Sequence, residues 1–294
     1  MNILFPSTAF EPNEIDYSWQ EEYSVAKNIL TTHLYDRETK KFSRSLKRSN
    51  ARQKIIYHGW MFNEKQYTYL YNQLADLNYE LINDPKQYIS CHHFIGWYDC
   101  IKDFTPKSII VNNNTGSLVE SILKFRKENS CDIFIKDYVS SLKHAWDTAC
   151  FIPHSATAIE IAKVIMNFSG YKDEYGGIEG GIVLRKFEQL EKLCNHPRSN
   201  MPLSIEYRSF VFNGKIISTS PYWEYGEYKI DPPLDFIQNI ADRVFIVTKS
   251  SLFTVDCALK KDGSWICIEV GDGQVSALPD RANKKEFYSN LLKE

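Results

Sequence analysis

The chain has no closely spaced cysteine pair, no long apolar run and almost no net charge, and each absence removes a class of protein. Its seven cysteines, Cys91, Cys100, Cys131, Cys150, Cys194, Cys257 and Cys267, include no CxxC pair. Neither a disulfide framework nor a zinc site has suitable spacing, so reduced intracellular thiols are expected. No apolar stretch is long enough to span a bilayer, and Met1-Asn-Ile-Leu-Phe-Pro lacks a basic region followed by a sustained apolar run. A cytoplasmic location without a membrane partner is the expectation. A net charge of -2 leaves no general basic footprint, which argues against non-specific nucleic-acid binding as the main activity. There is no Walker A sequence to indicate a P-loop protein, and no internal repeat, coiled coil or low-complexity tail.

What is there suits a folded protein of one large or two ordinary domains: 294 residues, 43% hydrophobic and 24% charged. The 18 Tyr, 17 Phe and 6 Trp can wall a ligand, though core packing accounts for most. Short strands at Asn2–Phe5, Lys54–His58 and Ser108–Val111 alternate with helical patterns at Ser18–Leu30 and Asn63–Tyr79, and Tyr88–Phe94 reads as weakly extended. This succession predicts an α/β N-terminal region over 1–115, in which Lys- and Arg-rich Asp36–Lys54 is an exposed helix or loop. The run Asn112-Asn-Asn-Thr-Gly reads as loop. Over 116–294 the pattern gives a helix at Gly116–Glu128, a strand at Cys131–Lys136, a helix at His154–Phe168 and a glycine-bearing connection at Gly170–Gly181. Strand pairs around Asn213-Gly214 and Asp262-Gly263 and a helix at Lys284–Leu292 follow, so the fold class is α+β.

The segment Phe253–Val270 carries the most information. If the Asp262-Gly263 turn holds two residues, Lys261 faces Ser264 and the register sets Asp256 directly opposite Glu269. Directly opposed carboxylates lie roughly 4.5–5.5 Å apart at Cβ and repel, which costs stability unless a cation lies between them. Magnesium suits the place, because it takes carboxylate and phosphate oxygens together. A solvated edge hairpin is the alternative. The other face would carry Val255, Cys257 and Leu259 against Ile266, Ile268 and Val270 as core.

Other charges gather on strands. Lys136 lies on the opposite face from Ile133 and Ile135, where it can meet a phosphate or sit at a sheet edge. Arg185 and Lys186 point to opposite faces of one strand. Glu206 and Arg208 share a face, as a salt bridge or as a phosphate clamp. In this order, Lys136 would neutralise phosphate, Arg208 would clamp it, and Asp256 with Glu269 would hold a metal ion, which together meet the needs of a magnesium-nucleotide site.

The set Phe134-Ile-Lys-Asp-Tyr-Val, Val183-Leu-Arg-Lys-Phe, Glu206-Tyr-Arg, Val255-Asp-Cys and Ile268-Glu-Val-Gly-Asp-Gly-Gln-Val-Ser resembles the ATP-grasp superfamily, in one of its divergent clades, over Cys131–Pro279. The resemblance implies a fold that holds ATP between two α+β subdomains, with 1–115 as a pre-ATP-grasp-like region. It further implies nucleotide contacts from Lys136, Arg185 and Lys186, phosphate contact from Arg208 with Glu206 in the same charged row, and Mg²⁺ on Asp256 and Glu269. The implied reaction joins a small-molecule or peptide carboxylate to an amine through an acylphosphate. One departure stands out: the family commonly has Asn two residues after the second metal-binding acid, where this chain has Gly271, so Asp272 is expected to take over part of that role.

Two other functions compete. A nucleotide-responsive binding protein would use the same cleft without acceptor chemistry. Lys260-Lys-Asp-Gly263 matches the short motif of covalent polynucleotide ligases, but few residues follow it and the dipeptide Asp262-Gly263 is better explained as a turn. His92 and His93 are expected to be structural, and His144 and His154 lack a visible carboxylate or cysteine cluster.

Overall fold

A computed structural model describes residues 1–111, 117–142, 145–174, 176–198 and 200–293. Strands β1 (Asn2–Thr8), β2 (Glu11–Ile15), β3 (Thr31–Asp36), β4 (Lys41–Phe42), β5 (Gln53–Tyr57) and β6 (Tyr79–Leu81) form the N-terminal sheet, with helix α1 (Gln20–Ala26) between β2 and β3 and α2 (Glu64–Asp76) between β5 and β6. The order is β4-β3-β1-β5-β6, with β2 pairing β1, and β3, β1, β5 and β6 run parallel. Ile3, Leu4 and Phe5 are all fully buried, as expected of a parallel strand covered on both faces. The basic segment after β3 is largely irregular, with Arg44, Lys47 and Arg48 exposed.

Two short helices follow, α3 (Pro85–His92) and α4 (Phe94–Ile101), where Tyr88–Phe94 reads as extended from sequence. The reason is local. Asp84 accepts a hydrogen bond from the Gln87 backbone N–H while the Gln87 side chain accepts from the Asp84 N–H, and Pro85 has its φ preset for a first turn. Cys91, Phe94, Trp97 and Ile101 pack beneath the C-terminal sheet, so burial of this face outweighs the extended pattern.

The middle sheet is antiparallel, in the order β7-β10-β8-β9, from β7 (Ser108–Val111), β8 (Ile133–Asp137), β9 (Phe151–Ile152) and β10 (Ile182–Lys186), with α5 (Leu118–Asn129) and α6 (Ala158–Glu174) beside it. The Asn112-Asn-Asn-Thr-Gly run and His144 lie outside the described residues. The expected glycine connection is partly helix, since α6 runs to Glu174. Tyr175 lies outside the described residues. Gly180 has φ +75°, and a Cβ there would come within 2.1 Å of Tyr138 Cδ2, so the end of this connection is packed under a ring.

A small pair, β11 (Lys192–Asn195) and β12 (Pro202–Ser204), precedes the C-terminal sheet β14-β13-β15-β16, which comprises β13 (Glu206–Phe212), β14 (Lys215–Pro221), β15 (Leu252–Leu259) and β16 (Trp265–Asp272). Helix α7 (Leu234–Thr248) buries Ile237, Ile240, Ala241 and Val244 against this sheet, and α8 (Lys284–Asn290) returns to α1 and the N-terminal core. No helix among the described residues is long and apolar enough to cross a membrane.

Candidate nucleotide and metal site

The turn between β15 and β16 holds three residues, not two. Lys260 N–H donates to Ser264 O at 2.8 Å, Gly263 N–H donates to Lys260 O at 3.0 Å, and Gly263 takes φ +85°. Lys260 Nζ pairs with Asp262 in that same turn at 3.0 Å, which gives the ligase-like motif a structural explanation. A three-residue turn alone would set Asp256 opposite Ile268, yet Asp256 still faces Glu269. A β-bulge restores the register: Cys257 pairs with Cys267 and Asp256 with Glu269, so Ile268 is the extra residue. The bulge also corrects the core face, where Cys267, not Ile266 or Ile268, joins Val255, Cys257 and Val270 in the buried cluster.

Arg208 on β13 is the direct neighbour of Asp256 on β15, which completes the row Arg208–Asp256–Glu269 across three strands. Arg208 makes a two-pronged pair with Asp256, Nε to Oδ1 at 2.8 Å and Nη2 to Oδ2 at 2.7 Å, and donates from Nη1 to Ala277 O at 3.2 Å. The Arg208 guanidinium lies 4.7 Å from the Tyr222 ring centroid. Burial works against its charge, but Asp256 prevails and holds the guanidinium above its ordinary pKa. Glu206 lies on the same face and accepts from Ser204 Oγ at 3.3 Å.

Lys136 reaches this row from the middle sheet. Its ammonium pairs with Glu269, bridging β8 and β16. The lysine is 2% exposed and Glu269 is 28% exposed. Burial lowers the Lys136 pKa, and Glu269 opposes that shift. The two opposed acids therefore each hold a protein cation, which offsets the repulsion expected between them.

Arg185 is buried on β10 on the same face as Lys136, and donates to Ile268 O and to Thr105 Oγ1, both at 2.6 Å. Lys186 points to the opposite face, half-exposed, and pairs with Glu188 at 3.2 Å. It is thus not brought to the acid pair, because adjacent residues on a strand alternate.

Asp272 also lies away from the acids. It is three positions beyond Glu269 and hence on the other face of β16, where it is fully buried. Asn83 Nδ2 donates to it at 2.6 Å and Gln274 N–H at 2.9 Å, which ties the C-terminal sheet to the loop after β6. The structure thus corrects the expectation of Asp272 as a ligand beside Asp256 and Glu269. Among the described residues no three His, Cys, Asp or Glu side chains gather as a metal site.

Beside Gly271 stand two hydroxyls, Thr254 Oγ1 and Ser276 Oγ, 3.1 Å apart. Alternation along β15 places Thr254 with Asp256, but Ser276, the last residue of the Ile268–Ser276 motif, reaches this place from the loop after β16, where strand alternation gives no guide. His92 is buried, and burial lowers its pKa to about 3, while His93 lies 3.6 Å from Glu179.

Burial holds the Asp272 carboxyl up at about 7, against the hydrogen bonds from Gln274 and Asn83. The folded state therefore keeps a proton that the unfolded chain releases near pH 4. Its contribution to stability is complete below that point and is lost as pH rises through about 7. Thermal melts from pH 4 to 8 are expected to show this fall in the wild type and a flatter profile for Asp272→Ala. Parallel profiles would reject the assignment.

An opposed acid pair with a lysine and an arginine in contact fits a divalent cation bridging to phosphate: the acids supply hard oxygen ligands and the cations can transfer to phosphate oxygens. The comparisons with known proteins point to a family with this chemistry. A family model described as an ATP-grasp domain, the third family of its clade, matches residues 127–291, more than half the chain. D-alanyl-alanine synthetase A from Vibrio cholerae is similar in structure, with a TM-score of 0.59 at 13% identity, over 100% of this chain and 98% of that one. D-cycloserine synthetase DcsG gives 0.58 at 12% identity over 100% and 99%. Macrocyclase MdnC from Microcystis aeruginosa, solved with its precursor peptide MdnA, gives 0.58 at 10% identity over 100% and 99%. No curated protein sequence matches the chain. The chain thus belongs to the ATP-grasp superfamily, as a divergent member built on the fold of ATP-dependent ligases.

Proposed function

We propose that the protein is an ATP- and magnesium-dependent carboxylate–amine ligase acting through an acylphosphate. The observation that carries this reading is the row Arg208–Asp256–Glu269 closed from the opposite sheet by Lys136. Asp256 and Glu269 would hold magnesium, with the Thr254 and Ser276 hydroxyls beside Gly271 available to its water shell. Bound there, magnesium would neutralise charge on the phosphate oxygens. Lys136 and Arg208 serve the same end from two sides: released from their acids, they turn their charge to the phosphates.

The substrate carboxylate attacks the γ-phosphorus, forming an O–P bond as the bridging bond to ADP breaks. The amine nitrogen then attacks the acyl carbon, phosphate leaves, and the nitrogen loses a proton. Relatives of this fold include a macrocyclase that binds a precursor peptide and synthetases of small amino-acid products, which supports either a peptide or a small molecule as the carboxylate donor.

Titration calorimetry with ATP and a non-hydrolysable analogue, with and without Mg²⁺, tests the site. The wild type is expected to bind more tightly with magnesium, and Asp256→Asn/Glu269→Gln to lose that difference. Equal magnesium dependence in the double variant would reject these acids as the metal clamp.

A further inference from the structure

We propose that Arg185 is a positioning residue that sets Glu269 opposite Asp256 by bracing the β16 bulge, instead of contacting the nucleotide. This rests on the proposed magnesium-nucleotide site, and it assigns Arg185 a role inside that site.

The argument starts from the turn. Three residues at Lys261–Gly263 shift β16 by one position relative to a two-residue turn, and a regular ladder would carry Glu269 to the wrong face. The extra residue Ile268 cancels the shift. A bulge leaves its residue outside the ladder, so the Ile268 carbonyl needs another donor. Arg185 Nη1 supplies it at 2.6 Å, from a strand of the other sheet.

The guanidinium is itself held. Its Nη2 donates to Thr105 Oγ1 at 2.6 Å, and Thr105 is buried in the segment between α4 and β7. The adjacent Phe104 carbonyl accepts from Cys267 N–H at 2.7 Å, one residue before the bulge. Residues 104 and 105, Arg185 and the bulge thus form one brace on the two residues that precede Glu269. A planar fork suits this task, because with Nη2 held by Thr105 the rigid guanidinium fixes where Nη1 meets the Ile268 carbonyl, which a flexible ammonium would not. Both terminal nitrogens of Arg185 are used on these two acceptors, while Lys136 and Arg208 are the cations that make ion pairs with the acids.

The roles separate by magnesium dependence. If Arg185 touched the nucleotide, its removal would weaken binding with and without metal alike, whereas removal of a brace misplaces Glu269 and takes away only the magnesium-dependent part. Calorimetry with a non-hydrolysable ATP analogue, with and without Mg²⁺, on the wild type, Arg185→Met, Arg185→Lys and Thr105→Val reads this directly, with thermal melts to verify folding. The magnesium enhancement is expected to fall at least about tenfold in Arg185→Met while metal-free affinity stays within about twofold, a loss typical of a coupling between two sites. Arg185→Lys, with one adjustable donor, should recover part of the enhancement. Thr105→Val should lower it too, and carries the test if Arg185→Met fails to fold. Equal weakening with and without metal in Arg185→Met, or a silent Thr105→Val, overturns the brace. No magnesium dependence in the wild type removes the proposed function and the brace together, while a magnesium-dependent wild type with unaffected variants removes the brace alone.

Discussion

Lys136→Met is expected to lower magnesium-nucleotide affinity by about 100-fold, roughly 2.8 kcal/mol, without lowering the melting temperature. The two readouts part because of where each charge sits. Lys136 is 2% exposed, so its ammonium is desolvated in the folded state, and an unbranched apolar side chain of similar volume relieves that cost. Glu269 keeps 28% of its side-chain surface exposed and stays solvated when its partner is gone. The folded protein therefore loses little. Binding loses a cation that meets phosphate in a desolvated place, where a charge-assisted hydrogen bond contributes most. Calorimetry and a thermal melt on the same sample check this. Wild-type affinity in the variant would remove Lys136 from the site, and a large drop in melting temperature would make the Lys136–Glu269 bridge a structural pair.

Asp256→Ala is expected to have the opposite profile, with a large loss of stability. Asp256 is 5% and Arg208 16% exposed at the side chain, and Asp256 takes both prongs of the guanidinium. Removing the acid leaves Arg208 with the Ala277 carbonyl and the face of Tyr222. Breaking a buried ion pair from one side costs about 3–5 kcal/mol. For a chain of 294 residues that corresponds to a fall in melting temperature of roughly 5–8 °C. Arg208→Ala should be comparable, because it strands the carboxylate, and the double variant should cost clearly less than the sum of the two. Urea denaturation of the three variants measures the coupling. Additive losses would mean that the pair is screened by solvent and that its geometry does not stabilise the fold.

The two variants also divide the site into parts with different legibility in the sequence. The pairing of Asp256 with Glu269 follows from hairpin register, and the shared face of Glu206 and Arg208 from strand alternation; both are short-range consequences of a period of two. Even there the count along the hairpin is right through two offsetting departures, since turn length and bulge each shift the register by one. The Asp84–Gln87 capping box is likewise present in the sequence, yet the aromatic and β-branched residues after it suggest extension, and α3 forms because its buried face packs under the C-terminal sheet.

By itself, the sequence determined the α+β class, the faces on which the charged residues lie, and the order of motifs that marks an ATP-grasp domain. These depend on contacts between near neighbours along the chain or across one turn. Tertiary structure alone decided that Lys136 meets Glu269 across two sheets, that of Arg185 and Lys186 it is Arg185 that faces the C-terminal sheet, that Arg185 donates to the Ile268 carbonyl, and that Asp272 is tied to Asn83 on the far face of its strand. The physical reason is common to all four. A charged side chain carries no mark of its partner until the packing of separate sheets removes water from one face and leaves it on another, and only then does one carboxylate stay open to solvent while another becomes a buried knot.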